Sequence, residues 1–197
     1  MKRLFDISFS SIVMLLFFPF GLIIALLIVA DSRGGVFYFQ KRVGQFGKPF
    51  ALFKFRTMRP ASDVQGKITI GARDPRITSI GYFLRKYKLD EFPQFINVLI
   101  GDMSIVGPRP EVQEYVDLYT EEQKKVLQVK PGITDYASLA YFDENELLGK
   151  AEDAQYTYIH EVMPAKLALN QKYIQNPTLW NDFRIIWLTF KRMLVRR

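Results

Sequence analysis

The chain has no cysteine and a single histidine, His160, among its 197 residues. Without cysteine, disulfides, zinc–thiolate sites and thiol nucleophiles are excluded. One histidine rules out His-rich metal centres and leaves little room for a Ser-His-Asp triad. Any chemistry must come from carboxylates, amines and guanidiniums. Acidic residues are also outnumbered, 20 against 27 Lys and Arg, for a formal net charge of +7. That balance favours anionic partners: nucleic acid, phosphorylated metabolites or an acidic membrane surface. No acidic residue occurs between positions 32 and 62. Internal repeats and low-complexity tracts are absent. Length and a 49% hydrophobic content suit one folded domain with an appended segment, not a disordered chain.

Charge is missing altogether from residues 7–30, a run bounded by Asp6 and Asp31. It is long enough for a membrane helix at about 20 residues per crossing. A cleaved signal peptide, with Lys2 and Arg3 leading and cleavage at Ala30, is disfavoured by the length of the run and by bulky Ile28. A simple spanning helix and a re-entrant hairpin remain. Pro19, followed by Gly21, removes a backbone hydrogen bond mid-run and kinks a helix there. Each arm is then about 12 residues, ~18 Å, nearer one leaflet than two. Lys2 and Arg3 precede the run, and Arg33, Lys41, Arg42, Lys48, Lys54, Arg56 and Arg59 follow it, which draws both ends to the cytoplasm. The sequence leans to a re-entrant helix-break-helix over residues 1–31.

The fold class expected is α+β and mainly helical, residues 32–197 forming one compact domain. Residues 36–39 and 50–57 are predicted strands joined by a glycine turn at 44–47. Alternation puts Phe53 and Phe55 on one face, Lys54 and Arg56 on the other. That second face is either simply solvated or a phosphate contact. Residues 60–76 are predicted to form a loop, and a helix follows with Ser79 as its N-cap. Pro93 suits the first turn of a short helix, placing Asp90 and Glu91 at its start. After a Gly/Pro-rich segment at 101–110, helices are expected at 111–118, 121–129, 164–175 and 179–195. Residues 130–139 read as a loop and 142–153 as a solvated acidic helix. In the last helix Trp180, Phe183, Ile186, Trp187, Phe190 and Leu194 recur every three or four residues. Arg184, Lys191, Arg192, Arg196 and Arg197 accompany them. This stripe either packs on the core or lies on anionic lipid.

The densest chemistry surrounds Asp90 and Glu91, with Arg85, Lys86 and Lys88 before them and Asp102 and Arg109 after. A helix N-terminus and nearby cations favour an ionised aspartate able to attack. Carboxylates also hold Mg²⁺, which arrives with substrate phosphates, and guanidiniums match phosphate oxygens. The plain alternative is that the two acids cap a helix.

Arg85-x-x-x-Leu89-Asp90-Glu91-x-Pro93-Gln94, Asn97-Val98-Leu99-x-Gly101-Asp102-Met103-Ser104 and Val106-Gly107-Pro108-Arg109-Pro110 together resemble the bacterial sugar transferases, the monotopic phosphoglycosyl transferases. Lys54-Phe55-Arg56-Thr57-Met58, Lys130-Pro131-Gly132-Ile133-Thr134 and the opening Lys2-Arg3-x-x-Asp6 extend the resemblance over nearly the whole chain, in its short form. It implies transfer of a phospho-sugar from a UDP-sugar to undecaprenyl (polyprenol) phosphate, releasing UMP, at the first membrane step of glycan assembly. It further implies an aspartyl-phosphosugar intermediate on Asp90, with Mg²⁺ held by Asp90 and Glu91 as partner. Lys54, Arg56, Arg85 and Arg109 become phosphate contacts, and the domain lies on the cytoplasmic face of the inner membrane against its phospholipids. No nucleic-acid partner is implied, and a homodimer stays open. The family breaks its membrane helix at a Ser-Pro pair; here Phe18-Pro19 keeps only the proline. Residues 135–148 depart from the family's common Gly-Trp-Ala-Gln run and are expected to influence sugar choice. Two rivals stand beside this reading: a basic membrane-anchored module binding nucleic acid or lipid, and a lipid-phosphate phosphatase with an aspartyl-phosphate.

Overall fold

The computed structural model describes residues 1–60 and 74–195, so most of the loop expected at 60–76 lies outside the described residues, as do Ser62, Arg196 and Arg197. The described fold is mainly helical α+β, with a long apolar helix at its start and two small sheets.

Helix α1 (Lys2–Asp31) runs 30 residues without interruption and contains Pro19. At 1.5 Å per residue it is about 45 Å long. The expected break into two helices is therefore absent. A proline forfeits only its own N–H bond to the carbonyl four residues earlier, and the ladder on either side carries the helix through. By length and composition α1 is able to cross a membrane, and most of its apolar stretch is bare. Leu15, Leu16, Phe18, Phe20, Ile23 and Leu26 are exposed.

Both ends of α1 are fastened to the rest of the chain. At the start, the Arg3 guanidinium donates to Val98 O and Leu99 O, and buried Asp6 accepts from Ser104 Oγ at 2.9 Å. At the end, Ile24 and Ile28 pack with Phe55 and Leu84, and Asp31 accepts from the Ile80 N–H at 2.9 Å.

Strands β1 (Phe37–Val43) and β2 (Pro49–Phe55) form an antiparallel hairpin pairing Tyr38 with Lys54 and Val43 with Pro49. β1 outruns its predicted end at residue 39 because tertiary partners hold it: the Val43 N–H donates to Glu111 O at 2.8 Å, and Arg42 pairs with Glu111 at 2.8 Å. Helix α2 (Ser79–Lys86) is capped by Thr78, whose hydroxyl accepts from the Gly81 N–H, rather than by Ser79. Lys88 then takes a left-handed conformation, φ 56°, turning the chain into a 3-10 turn at Leu89–Glu91 and on into α3 (Gln94–Ile100).

Two segments expected as irregular form a parallel pair, β3 (Ser104–Val106) with β4 (Gly132–Thr134). Glycine makes this crossing sterically feasible: a Cβ on Gly132 would sit 2.1 Å from Gly107 N, and one on Gly107 2.5 Å from Lys130 O. The helix expected at 111–118 shrinks to α4 (Gln113–Val116), and that at 121–129 is a 3-10 segment, Gln123–Gln128. Then follow α5 (Tyr136–Ala140), α6 (Glu144–Gly149) and α7 (Ala154–Thr157). A π turn leads into α8 (Met163–Gln175), and α9 (Leu179–Val195) closes the described chain. On α9 the packed face is Asp182 and Ile185, both buried, while Trp180, Phe183, Trp187, Phe190 and Leu194 are exposed. The aromatic residues of the stripe thus face mostly outward, although Phe183 meets the Phe5 ring edge-on and Ile186 packs on the core.

Candidate active site

Adjacent α2 and α3, together with β2, residue 109 and α5 from more distant parts of the sequence, converge on the carboxylate pair. Asn97, fully buried on α3, accepts from the Phe53 N–H at 2.9 Å and donates to Ala51 O at 2.7 Å, locking α3 to β2. That lock brings Lys54 Nζ to 3.5 Å from Glu91 Oε1. Asp135, also fully buried, caps α5 and accepts from the Arg109 N–H at 3.2 Å, fixing the backbone from which Arg109 reaches across. The Arg109 guanidinium grips Glu91 with both terminal nitrogens, one of them 3.1 Å from Oε2. From α2, Arg85 lies along the same cavity and donates to Thr57 Oγ1 at 2.9 Å.

The two acids thus differ. Glu91 is fully engaged. Asp90 is 7% exposed, and among the described residues its carboxylate takes part in no hydrogen bond or ion pair. Burial, and then the neighbouring Glu91 charge, push the Asp90 carboxyl above its ordinary pKa, against the pull of Lys54, Arg85 and Lys88. This reverses the direction expected from sequence, because desolvation outweighs the cations. Burial also opposes Glu91 ionisation, but Arg109 and then Lys54 hold it well below the usual carboxylate range. Burial lowers the Lys54 ammonium to about 8, Glu91 resisting and Arg109 assisting. Glu91 raises Arg109 in turn.

Arg56 lines the same cavity, but its guanidinium is committed to backbone carbonyls away from the acid pair. It is buried, and its guanidinium donates to Gly35 O and Arg33 O at 2.7 Å each and to Ser32 O at 2.8 Å, at the C-terminal end of α1. Those carbonyls belong to the segment just after α1, and the guanidinium also lies 3.5 Å from Ile28 O in the last turn of the helix. Lys54 is largely buried too, so the basic face of β2 is not a solvated one. Asn97 and Asp135 build the site, although sequence pattern alone does not mark them as doing so. Both lie in quoted motifs or beside one, but nothing local shows which strand or loop they would hold.

The pair opens onto a cavity of about 1470 Å³. One side is apolar, formed in part by Phe9, Val13, Leu16 and Phe17 of α1 with Phe92 and Phe95. Phe17 stacks on Phe92, ring centroids 3.8 Å apart, directly beside Glu91. Another side is polar and carries Lys54, Arg85 and Arg109. For Mg²⁺, no cluster of three or more acidic or imidazole side chains exists among the described residues. The ion characteristically takes one or two carboxylates together with phosphate oxygens. The uncommitted Asp90 oxygens fit that mode; the Glu91 oxygens are already held by Arg109.

The chain matches the bacterial sugar transferase family over residues 1–196 and belongs to it. It is 37% identical over 196 residues to a UDP-N-acetylgalactosamine-undecaprenyl-phosphate N-acetylgalactosaminephosphotransferase of Aeromonas hydrophila, covering 98% of this chain and 43% of that protein. To a UDP-glucose:undecaprenyl-phosphate glucose-1-phosphate transferase of Escherichia coli K12 it is 35% identical over 200 residues, covering 100% of this chain and 41% of the relative. This chain therefore spans about two fifths of the length of those two relatives. A Bacillus subtilis protein described as an uncharacterized sugar transferase, EpsL, is 36% identical over 196 residues, covering 99% of this chain and 88% of its own length.

Proposed function

We propose that the protein transfers a phospho-sugar from a UDP-sugar to undecaprenyl phosphate, giving polyprenyl diphosphate-sugar and UMP. The observation that carries this reading is the contrast within the acid pair: a buried, uncommitted Asp90 beside a Glu91 clamped by Arg109 and Lys54. In the first half-reaction an ionised Asp90 oxygen attacks the β-phosphorus. The bond from that phosphorus to the bridging oxygen breaks, and UMP departs with the electron pair. In the second, an acceptor phosphate oxygen attacks the same phosphorus and the Asp90–phosphorus bond breaks, restoring the carboxylate. Mg²⁺, held by Asp90 together with donor phosphates, would neutralise charge on the diphosphate. Lys54, Arg85 and Arg109 orient phosphate oxygens. Glu91, pinned by Arg109, keeps that guanidinium in place.

The same reading places the protein monotopically on the cytoplasmic face of the bacterial inner membrane. A straight span would separate the ends of α1 by about 30 Å of hydrocarbon. Yet Arg3 and Asp6 at one end, and Asp31 at the other, hold the same body through polar contacts. The exposed aromatic face of α9 supports contact with phospholipid headgroups. This arrangement keeps a charged donor in water and the acceptor tail in one leaflet.

The test is UMP release across a panel of UDP-sugars, with and without undecaprenyl phosphate. Turnover that requires both substrates is the expected result. Release of phosphate from undecaprenyl phosphate without any UDP-sugar would favour a phosphatase, and no release from any donor would leave a binding module.

A further inference from the structure

We propose that an ion-paired wall contributed by α5, α6 and α8, centred on Glu144, Lys166 and Ser138, binds the hydroxyl-bearing sugar of the donor and selects which sugar is accepted. This rests on the reading of the site as a UDP-sugar transferase and deepens it. Lys166 Nζ lies 2.7 Å from Glu144 Oε2, the side chains 14% and 25% exposed, and both line the cavity. Lys166 also sits over the Tyr158 ring at 5.5 Å, and the Tyr158 hydroxyl donates to Glu111. Ser138 lines the same cavity, and its Oγ is buried with no hydrogen-bond partner among the described residues. None of these groups has a part in the phosphoryl chemistry.

The wall adjoins the anion clamp. Asp135 accepts from both the Arg109 N–H, at 3.2 Å, and the Ser138 N–H, which ties the start of α5 to the clamp. In a UDP-sugar the hexose is bonded to the β-phosphate that Asp90 attacks, whereas the ribose lies beyond the α-phosphate. With Arg109 on the β-phosphate beside Asp90, the wall next to it would face the hexose. Chemistry agrees with position. A carboxylate wall repels phosphate, and an isoprenoid tail laid on an ion pair would strip its water without replacing it. Sugar hydroxyls, each both donor and acceptor, match an alternating carboxylate, ammonium and hydroxyl surface. A site built to bond a particular hydroxyl rejects the epimer that leaves its buried groups unpaired.

The test compares wild type with Glu144→Gln in the full-length membrane protein. Measured quantities are kcat/KM for UDP-glucose, UDP-galactose, UDP-N-acetylglucosamine and UDP-N-acetylgalactosamine, and the inhibition constant of UMP. Expected is a change of tenfold or more in the ratio between two of these donors, with UMP inhibition unchanged. A smaller change in every ratio overturns the proposal. So does a parallel weakening of UMP inhibition, which would assign the wall to the nucleoside. If Glu144→Gln does not fold, Ser138→Ala, which removes one unpaired oxygen, is judged by the same two outcomes. Wild type that releases no UMP from any donor would overturn the underlying assignment instead.

Discussion

Lys2, on the first turn of α1, holds Asp182 of α9 at 2.6 Å, and the same ammonium donates to Tyr173 OH and Val106 O, each at 3.1 Å. Asp182 is 1% exposed and also accepts from Tyr173 OH. The start of the apolar helix is thus part of the folded body on which its far end is anchored.

Topology follows from that attachment. The protein has no cysteine, so a single cysteine added ahead of Met1, or Lys48→Cys, can be labelled without background. In intact cells both positions should be shielded from an impermeant thiol reagent until the inner membrane is permeabilised. Periplasmic labelling of one site and not the other would establish a span.

Asp90→Asn should fold and lose at least about a thousandfold in turnover, roughly 4 kcal/mol of barrier. It should also melt at a higher temperature near neutral pH. The Asp90 pKa is raised in the folded state, so the stability it contributes is full below its unfolded value and falls as pH rises through the folded one. The amide never ionises and avoids that loss. Wild-type turnover in the variant, or a lower melting temperature, would contradict the assignment.

Removing Arg109 should expose what holds Glu91. Arg109→Met is expected to cost about 2 kcal/mol, below the 3–5 of a fully buried pair. The discount reflects an Arg109 side chain 32% exposed and Lys54 still 3.5 Å from Glu91. Denaturant unfolding measures it. kcat/KM should fall about a hundredfold, and a change under twofold would remove Arg109 from the phosphate site.

Lys54 has a pKa lowered to about 8, so its charge disappears as pH rises through that value. If the charge orients donor phosphate, kcat/KM falls above about pH 8. Lys54→Arg stays charged, and the alkaline limb should move upward. Between about 8 and 10.5 the unfolded chain binds more protons at this position, so wild-type stability should rise across that window. An unmoved limb in Lys54→Arg would take Lys54 out of the pH dependence.

Gly132→Ala tests the parallel crossing. Its Cβ would meet backbone at 2.1 Å, with no flexible side chain to give way. Loss of about 3 kcal/mol or failure to fold is expected. Stability within 0.5 kcal/mol of wild type, roughly the range of a surface change, would argue against the β3–β4 contact.

Local pattern made a good part of this protein legible in its sequence. The charge-free run, the helix at Leu179–Val195, the short helix behind Pro93 and the hairpin carrying Lys54 all follow from neighbours within a few residues, whereas the two acids sit in a 3-10 turn ahead of that short helix and not at its start. Excluding thiol and histidine chemistry needed composition alone. What the sequence left open depends on pairs distant along the chain. β3 and β4 are too short to announce themselves and exist because two glycines let their backbones touch. Arg56 and Lys54 share a strand face by alternation, yet one seals the end of α1 and the other meets Glu91. The cations near Asp90 pointed to a lowered pKa, and burial reversed the sign, since desolvation is a property of the enclosing fold and not of the adjoining residues. Pro19 shows a related limit: it removes one hydrogen bond, and the intact ladder on either side carries α1 through it.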